Sequence, residues 1–130
     1  MRVLSFNLLA PCYFRHGGQI ESQHPSFYLK RAKALLAPML AVQYDLLVLQ
    51  EYWFHPTFTS FIKSHLDDKY DSYFLQRPGE KEDGLAFFVL KETLQVKSVT
   101  KKVFDRAGER VALLLQLSHK ETQQVYSMFN

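Results

Sequence analysis

The chain has 130 residues, which is the size of one compact domain. Hydrophobic residues make up 47% of it and aromatic residues 15%, so the chain can form a core, which excludes a disordered protein. The net charge of +3 is compatible with a phosphate-bearing substrate but is too small to indicate one by itself. A single cysteine, Cys12, excludes an internal disulfide, and no segment approaches the roughly 18 apolar residues of a membrane span. No space for a signal peptide precedes the first strand, and we expect a soluble intracellular protein, cytoplasmic or nuclear.

The first half of the chain is predicted to form a strand, a loop, a helix and a second strand. Residues 2–7 form an apolar run that is typical of a strand buried on both faces, and a long irregular stretch follows over residues 8–24. Ser26 is expected to cap a helix, which Pro38 would kink or break near Ala37. Its buried face is predicted to contain Leu29, Ala32, Leu36, Met39 and Leu40. A Val/Leu-rich run over residues 45–50 predicts the second buried strand.

The second half begins with a helix and continues with strands. Pro56 is well placed at the first position of that helix. Its apolar face is predicted to contain Phe58, Phe61, Ile62 and Leu66. Strands are predicted over residues 70–77, 83–90, 94–104, 110–118 and 125–129, with a turn over residues 105–108. Because the connections are short, neighbouring strands should be antiparallel, and the fold class is α/β followed by a meander in one layered sandwich.

Two polar residues close the two buried strands. Asn7 ends the first strand and Glu51 follows the second. Because a β-α-β unit is almost always right-handed, the two residues should lie at the same edge of the sheet, beyond the carboxyl ends of the strands, where ligands gather. A carboxylate there suits a hard divalent cation. The alternatives are a solvated carboxylate at Glu51 and an Asn7 that only satisfies backbone groups in the turn after the strand.

Three segments together resemble a known superfamily. They are Ser5-Phe6-Asn7, residues 45–51 (Asp-Leu-Leu-Val-Leu-Gln-Glu) and residues 83–88 (Asp-Gly-Leu-Ala-Phe-Phe). In order and spacing they are similar to the endonuclease/exonuclease/phosphatase superfamily of DNase I-like magnesium phosphodiesterases, nearest to the CCR4-type deadenylase branch. The resemblance implies a DNase I-like α/β sandwich that is incomplete, because residues 1–130 would be the amino-terminal part of one such domain and its carboxy-terminal half is absent.

The resemblance also implies roles for individual residues. Asn7 would help to hold the metal or the scissile phosphate, and Glu51 would bind the metal, Mg²⁺ or in its place Mn²⁺. Arg31 matches a basic position of the helix after the first strand, with a role in substrate binding or in supporting the site. Asp83 begins the strand that the family uses close to the substrate cleft.

Three aromatic residues directly follow Glu51 and have two competing interpretations: Tyr52, Trp53 and Phe54. Either they stack on a nucleic-acid base at the rim of the cleft, or they cover the core. Base–aromatic stacking is worth about 1–3 kcal/mol per base, which makes the first interpretation worth testing.

The resemblance finally implies motifs that the sequence does not contain: Asn-x-His, Asp-x-Asn and Ser-Asp-His. Neither Asn7 nor Glu51 is suited to activate a water molecule as a general base, so we expect the chain to be inactive or nearly so at this length. The expected substrate is a phosphodiester, in the first place nucleic acid such as the 3′ poly(A) end of an RNA. The alternatives are a sphingomyelinase-like enzyme, a sugar-phosphate phosphatase, and a non-catalytic half-domain or binding module.

Overall fold

The computed structural model describes residues 1–104 and 108–130. Its elements are β1 (Val3–Asn7), β2 (Arg15–His16), β3 (Gln19–Ile20), a short 3-10 helix (Glu21–Gln23), α1 (Pro25–Val42), β4 (Leu46–Trp53), α2 (Pro56–Leu66), β5 (Tyr70–Gln76), β6 (Asp83–Leu90), β7 (Leu94–Phe104), β8 (Arg110–His119) and β9 (Val125–Phe129). Every predicted strand is present within a few residues of its expected bounds. Residues 105–107 of the predicted turn lie outside the described residues.

The strands form two larger sheets and one small hairpin. The first sheet has the order β1-β4-β6-β5, in which β1 runs parallel to β4 and the other pairs are antiparallel. The second sheet is the antiparallel meander β7-β8-β9. The β2–β3 hairpin lies within the stretch that the sequence predicted to be irregular. Because β1, α1 and β4 form a parallel β-α-β unit, Asn7 lies opposite Gln50 in the register, at the carboxyl edge.

The molecule has three layers: two helices, the first sheet and the second sheet. In β4, Leu47 and Leu49 belong to the core beneath the helices, and Leu46 and Val48 belong to the core between the sheets. All four residues are at most 4% exposed, so β4 is buried on both faces as predicted. This α/β sandwich therefore confirms the predicted fold class.

β1 corrects one prediction, because it is not buried on both faces. It is an edge strand of the described sheet and pairs only with β4. Val3 is 37% exposed and Phe6 is 38% exposed. The apolar run of residues 2–7 predicted a strand correctly, but composition does not distinguish a central strand from an edge strand.

α1 differs from its prediction at both ends. It begins at Pro25, with His24 at the N-cap position and no side-chain capping bond, so Ser26 lies inside the helix rather than capping it. It also continues through Pro38 to Val42 without the expected break. The buried Leu36 and Met39 flank the proline. Their packing stabilises the last turn of the helix and compensates for the backbone hydrogen bond that Pro38 cannot donate.

α2 begins at Pro56 as predicted and buries Phe58, Ile62 and Leu66, whereas Phe61 is half-buried. Of the two described α-helices, neither combines the length and hydropathy that crossing a bilayer requires.

Candidate active site

Glu51 sits at a β-bulge near the carboxyl end of β4. In the pairing of β4 with β6, Gln50 lies opposite Leu85 and Tyr52 lies opposite Gly84, so Glu51 is the extra residue without a register partner. Its φ of +51° lies in the left-handed region, which a non-glycine residue rarely adopts. Bulges and strained backbone of this kind concentrate at functional sites, where they re-aim a side chain.

The side chains of Glu51 and Asn7 are hydrogen-bonded to each other. Asn7 Nδ2 donates to Glu51 Oε1 at 2.9 Å, and the backbone N–H of Ala10 donates to Glu51 Oε2 at 3.2 Å. Asn7 Oδ1 in turn accepts a 2.7 Å bond from the backbone N–H of Leu9, whose φ is +53°. Both donors to the carboxylate are neutral, and Glu51 forms no ion pair within residues 1–104 and 108–130. Its negative charge is therefore fixed in place but not neutralised.

Arg31 holds the loop that follows β1. Its guanidinium forms a salt bridge of 2.5 Å with the buried Glu21 and donates to the carbonyl oxygens of Leu8 at 2.6 Å and Leu9 at 2.7 Å. These two residues lie between Asn7 and Ala10, which both donate to Glu51. Arg31 is thus placed to fix the site loop, and most of its N–H donors are already used.

Tyr52 and Trp53 belong to the core, which is the second of the two interpretations that the sequence left open, and not to a substrate-binding surface. Tyr52 is fully buried and Trp53 is 2% exposed, so neither ring can stack on a base. Trp53 Nε1 donates to Glu82 at 2.9 Å. Burial raises the pKa of Tyr52 to about 12. Both rings pack in the helix-side core, although the two residues are consecutive in β4.

Asp83, the predicted substrate-binding residue at the start of β6, is also buried. Its carboxylate accepts a 2.7 Å bond from the Tyr13 hydroxyl and pairs with Arg77 at 3.4 Å. Burial, followed by the hydrogen bond to Asp83, raises the pKa of Tyr13. Asp83 lies opposite Trp53 in the register, so this cluster links the site loop to the start of β6.

The surroundings of Cys12 show that negative charge collects at this edge. Burial raises the pKa of the Cys12 thiol to about 11, and the nearby charges of Glu82, Asp83 and Glu51 contribute to the same rise. The carboxylates of Glu51 and Glu82 would attract a cation here, whereas Asp83 is already paired with Arg77. Oxygen atoms of Glu51 and Asn7 are a donor set that fits Mg²⁺, which keeps several waters. Within the part of the chain that the structure describes, there is no cluster of three or more His, Cys, Asp or Glu residues suited to a metal.

Sequence reasoning missed one residue of this edge. The side chain of Asn130 accepts a 2.6 Å bond from Gln50 and donates to the carbonyl oxygens of Leu49 at 2.9 Å and Ala86 at 3.2 Å. It thereby connects the end of the second sheet to β4 immediately before Glu51. The signal was present, since Asn130 is a polar residue that closes an apolar strand, just as Asn7 does.

Comparison with protein-family models and with curated protein sequences found no match. Solved structures do match. A crystal structure of ANGEL2, a 2′,3′-cyclic phosphatase in complex with adenosine-2′,3′-vanadate, is similar with a TM-score of 0.80 and 25% identity, over 98% of this chain and 40% of that one. An endonuclease/exonuclease/phosphatase from Bacteroides vulgatus is similar with a TM-score of 0.74 and 15% identity, over 99% of this chain and 51% of that one. This chain has the endonuclease/exonuclease/phosphatase fold.

A third structure with this fold is a mannosyl-6-phosphatase from Bacteroides thetaiotaomicron, with a TM-score of 0.74, 17% identity and coverage of 100% of this chain and 50% of that one. The predicted resemblance to the endonuclease/exonuclease/phosphatase superfamily is therefore confirmed. The chain spans about half the length of these structures or less. The matched proteins include phosphatases that act on different phosphoesters, so the fold is that of phosphoester hydrolases and does not select a substrate.

Proposed function

We propose that residues 1–130 form the amino-terminal part of a single endonuclease/exonuclease/phosphatase domain and supply the metal-binding part of a phosphodiesterase site. The observation that carries the proposal is the hydrogen bond of Asn7 to a Glu51 held in a left-handed bulge. The backbone of Glu51 is strained, and its carboxylate has no cationic partner among the described residues. Stability alone does not explain this arrangement, because a solvated glutamate needs neither the bulge nor the hydrogen bond.

Glu51 is the proposed ligand of Mg²⁺, with Mn²⁺ as the alternative ion. When bound, such an ion would polarise the phosphoryl group and neutralise charge on the phosphate. Asn7 orients the carboxylate through its Nδ2 atom, and its Oδ1 atom keeps a second lone pair for the ion or its water shell. Arg31 holds Leu8 and Leu9, and thereby keeps the Ala10 N–H directed at Glu51.

The proposed substrate is a phosphodiester in nucleic acid, in the first place the 3′ poly(A) end of an RNA. The adenosine-2′,3′-vanadate bound in ANGEL2 supports a nucleotide substrate. The mannosyl-6-phosphatase with the same fold favours a sugar-phosphate phosphatase as the second candidate. A sphingomyelinase-like activity has no specific support.

This chain is proposed to be inactive, or nearly so, at this length. Neither Asn7 nor Glu51 is suited to act as a general base, and general acid–base catalysis contributes about 10²–10⁴-fold to rates. The competing proposal is a non-catalytic half-domain or binding module, which needs no metal at Glu51. Metal binding therefore separates the two proposals more sharply than activity does.

The test is a titration with Mn²⁺, followed by electron paramagnetic resonance, of the wild-type chain and of Glu51→Gln. We expect the substitution to weaken Mn²⁺ binding at least 10-fold, because it removes the charged ligand. Glu92→Gln removes an exposed carboxylate elsewhere and is the matched control, with binding unchanged. Equal binding by Glu51→Gln and wild type would refute the metal role.

A second assay measures Mg²⁺-dependent cleavage of a labelled, 3′-adenylated RNA by the same proteins. We expect no cleavage by either protein. Cleavage by the wild type that Glu51→Gln abolishes would show that the partial site suffices, and the proposed inactivity would be wrong.

A further inference from the structure

An open groove of about 440 Å³ lies between the β2–β3 hairpin and α1. We call it the hairpin groove. It is lined by Phe14, His16, Glu21, Phe27, Lys30, Arg31 and Ala34. A volume of this size is within the usual range of small-molecule sites and accommodates a nucleobase. The groove does not include Asn7 or Glu51, so its chemistry is separate from that of the proposed metal site.

Aromatic rings form one wall of the hairpin groove. Phe27 is 42% exposed, and its ring centroid lies 5.4 Å from that of His16 and 5.3 Å from that of His24. Phe27 belongs to neither of the two core clusters of the described residues. Both imidazoles are tilted against the Phe27 ring, and the exposed ring offers a face on which a base can stack. Stacking accepts any base because each has a π-face.

The rest of the groove carries positive charge. Its lining contains two cationic side chains, Lys30 and Arg31, and a single carboxylate, Glu21. Glu21 is buried and already paired with Arg31. Lys30 lines the groove and forms no ion pair with any described residue. This charge is complementary to phosphate, whereas an apolar peptide would gain nothing from it.

Arg31 connects the hairpin groove to the proposed metal site. It lines the groove and donates to the carbonyl oxygens of Leu8 and Leu9. The next residue, Ala10, donates its backbone N–H to Glu51. A polymer with one phosphate at the proposed metal site would therefore have a neighbouring surface that combines aromatic rings with the cation of Lys30.

We propose that the hairpin groove binds a base of single-stranded nucleic acid against Phe27 and His16, with an adjoining phosphate near Lys30. The choice of a phosphodiester ligand rests on the proposed function. The groove would determine which class of substrate reaches the proposed metal site, because stacking requires unpaired bases, and a double helix or a simple sugar phosphate cannot supply them.

The test is binding of a fluorescein-labelled, ten-nucleotide single-stranded oligoadenylate RNA, followed by fluorescence anisotropy. The buffer contains EDTA, so that no metal at Glu51 contributes. We expect Phe27→Ala to weaken binding about 5-fold or more, because one base loses its stacking surface. Phe104→Ala truncates an equally exposed phenylalanine of β7 and serves as the matched control, with binding unchanged. Phe27→Trp keeps an aromatic surface and should retain the wild-type affinity.

The charge of the groove is tested in the same assay. Lys30→Ala should weaken binding and reduce its salt dependence by about one phosphate contact, whereas Lys33→Ala, on the same helix but outside the groove, should do so less. Equal effects of Phe27→Ala and Phe104→Ala would overturn the proposal. So would an abasic deoxyribose-phosphate oligomer that binds as tightly as the RNA. Because the buffer contains EDTA, RNA binding is measured without the metal, and Mn²⁺ binding is measured without RNA, so the groove and the metal site succeed or fail separately.

Discussion

Asn7 donates a 2.9 Å hydrogen bond to Glu51, although 44 residues separate the two in the sequence. The parallel pairing of β1 with β4 brings them to one edge, and the bulge after Gln50 turns Glu51 out of the ladder. The carboxylate is thus oriented by two neutral donors rather than neutralised by a cation. A group arranged in this way retains its charge for a ligand.

Asn7→Ala tests whether this bond orients the proposed metal ligand. We expect Mn²⁺ affinity to fall about 10-fold, since partners that orient a ligand typically contribute 10- to 100-fold to metal affinity. The loss should be smaller than that caused by Glu51→Gln, which removes the charge itself. Electron paramagnetic resonance of free Mn²⁺ measures both. Gln95→Ala removes an exposed amide of β7 and should leave affinity unchanged; an Asn7→Ala protein with wild-type affinity would contradict the orienting role.

The sequence predicted most of the fold because burial left clear periodic signals. In β4, apolar residues face both cores, and a Val/Leu run is typical of such a strand. Pro56 marked the start of α2 because the first turn of a helix does not use its backbone N–H groups in hydrogen bonds within the helix, so a proline, which has no N–H, is tolerated there. The exposure of β1 could not be predicted in this way, since edge position depends on which strands pair and not on composition.

The candidate site was predicted only in part. Asn7 and Glu51 were predicted to share one edge, and they do. The left-handed backbone of Glu51 was not predictable, because glutamate has no preference for that region and only the bulge requires it. The positions of Tyr52 and Trp53 were ambiguous for a related reason. The bulge interrupts the alternation of side chains between the two faces of β4, so the face on which a residue after the bulge lies cannot be predicted from the residues before it.

Gly84→Ala tests the close approach of β5 and β6. A Cβ atom at Gly84 would lie 2.7 Å from Gln76 Cα and closer still to the carbonyl oxygen of Leu75, both of which are backbone atoms of β5. Because two paired strands cannot separate without breaking their ladder, we expect unfolding free energy to fall by about 3 kcal/mol or more. Urea denaturation measures this change.

Gly17→Ala is the matched control for the close approach. Gly17 has a φ of +56°, and no atom lies within 4 Å of the position that an added methyl group would occupy, so only backbone strain opposes the substitution. The expected loss is about 1 kcal/mol. A larger loss for Gly17→Ala than for Gly84→Ala would contradict the steric argument.

Arg31→Ala tests the salt bridge that supports the site loop. The Glu21 side chain is 3% exposed, so removing Arg31 leaves a buried carboxylate without its partner, and we expect a loss of about 3 kcal/mol in unfolding free energy. Lys63→Ala breaks the exposed pair with Asp67 and should cost under about 0.5 kcal/mol. A double-mutant cycle with Glu21→Gln isolates the coupling. Additive losses in that cycle would show that the pair does not act as a unit.

Asp45 should make stability depend on pH in the acid range. Burial alone would raise the pKa of its carboxyl group. The carboxylate accepts hydrogen bonds from the backbone N–H of Arg2 at 2.5 Å and from Thr93 Oγ1 at 2.8 Å, and both bonds lower the pKa. Together with the positive charges of the amino terminus and Arg2, they outweigh burial, so the pKa is lowered. The native state therefore binds its proton less readily than the unfolded chain. This contribution to stability is fully present above the unfolded pKa of about 3.9, and it is lost as the pH falls through the lower native value.

Urea denaturation between pH 2 and pH 6 measures this dependence for the wild type and Asp45→Asn. The substitution should lower stability at pH 6 and flatten the decline below about pH 4, because the group that releases its proton on folding is gone. Asp68→Asn changes an exposed carboxyl group and should keep the wild-type profile. If Asp45→Asn retained the full acid decline, the bonds that Asp45 accepts from Arg2 and Thr93 would not be the cause, and the loss of stability in acid would have to arise at other carboxyl groups.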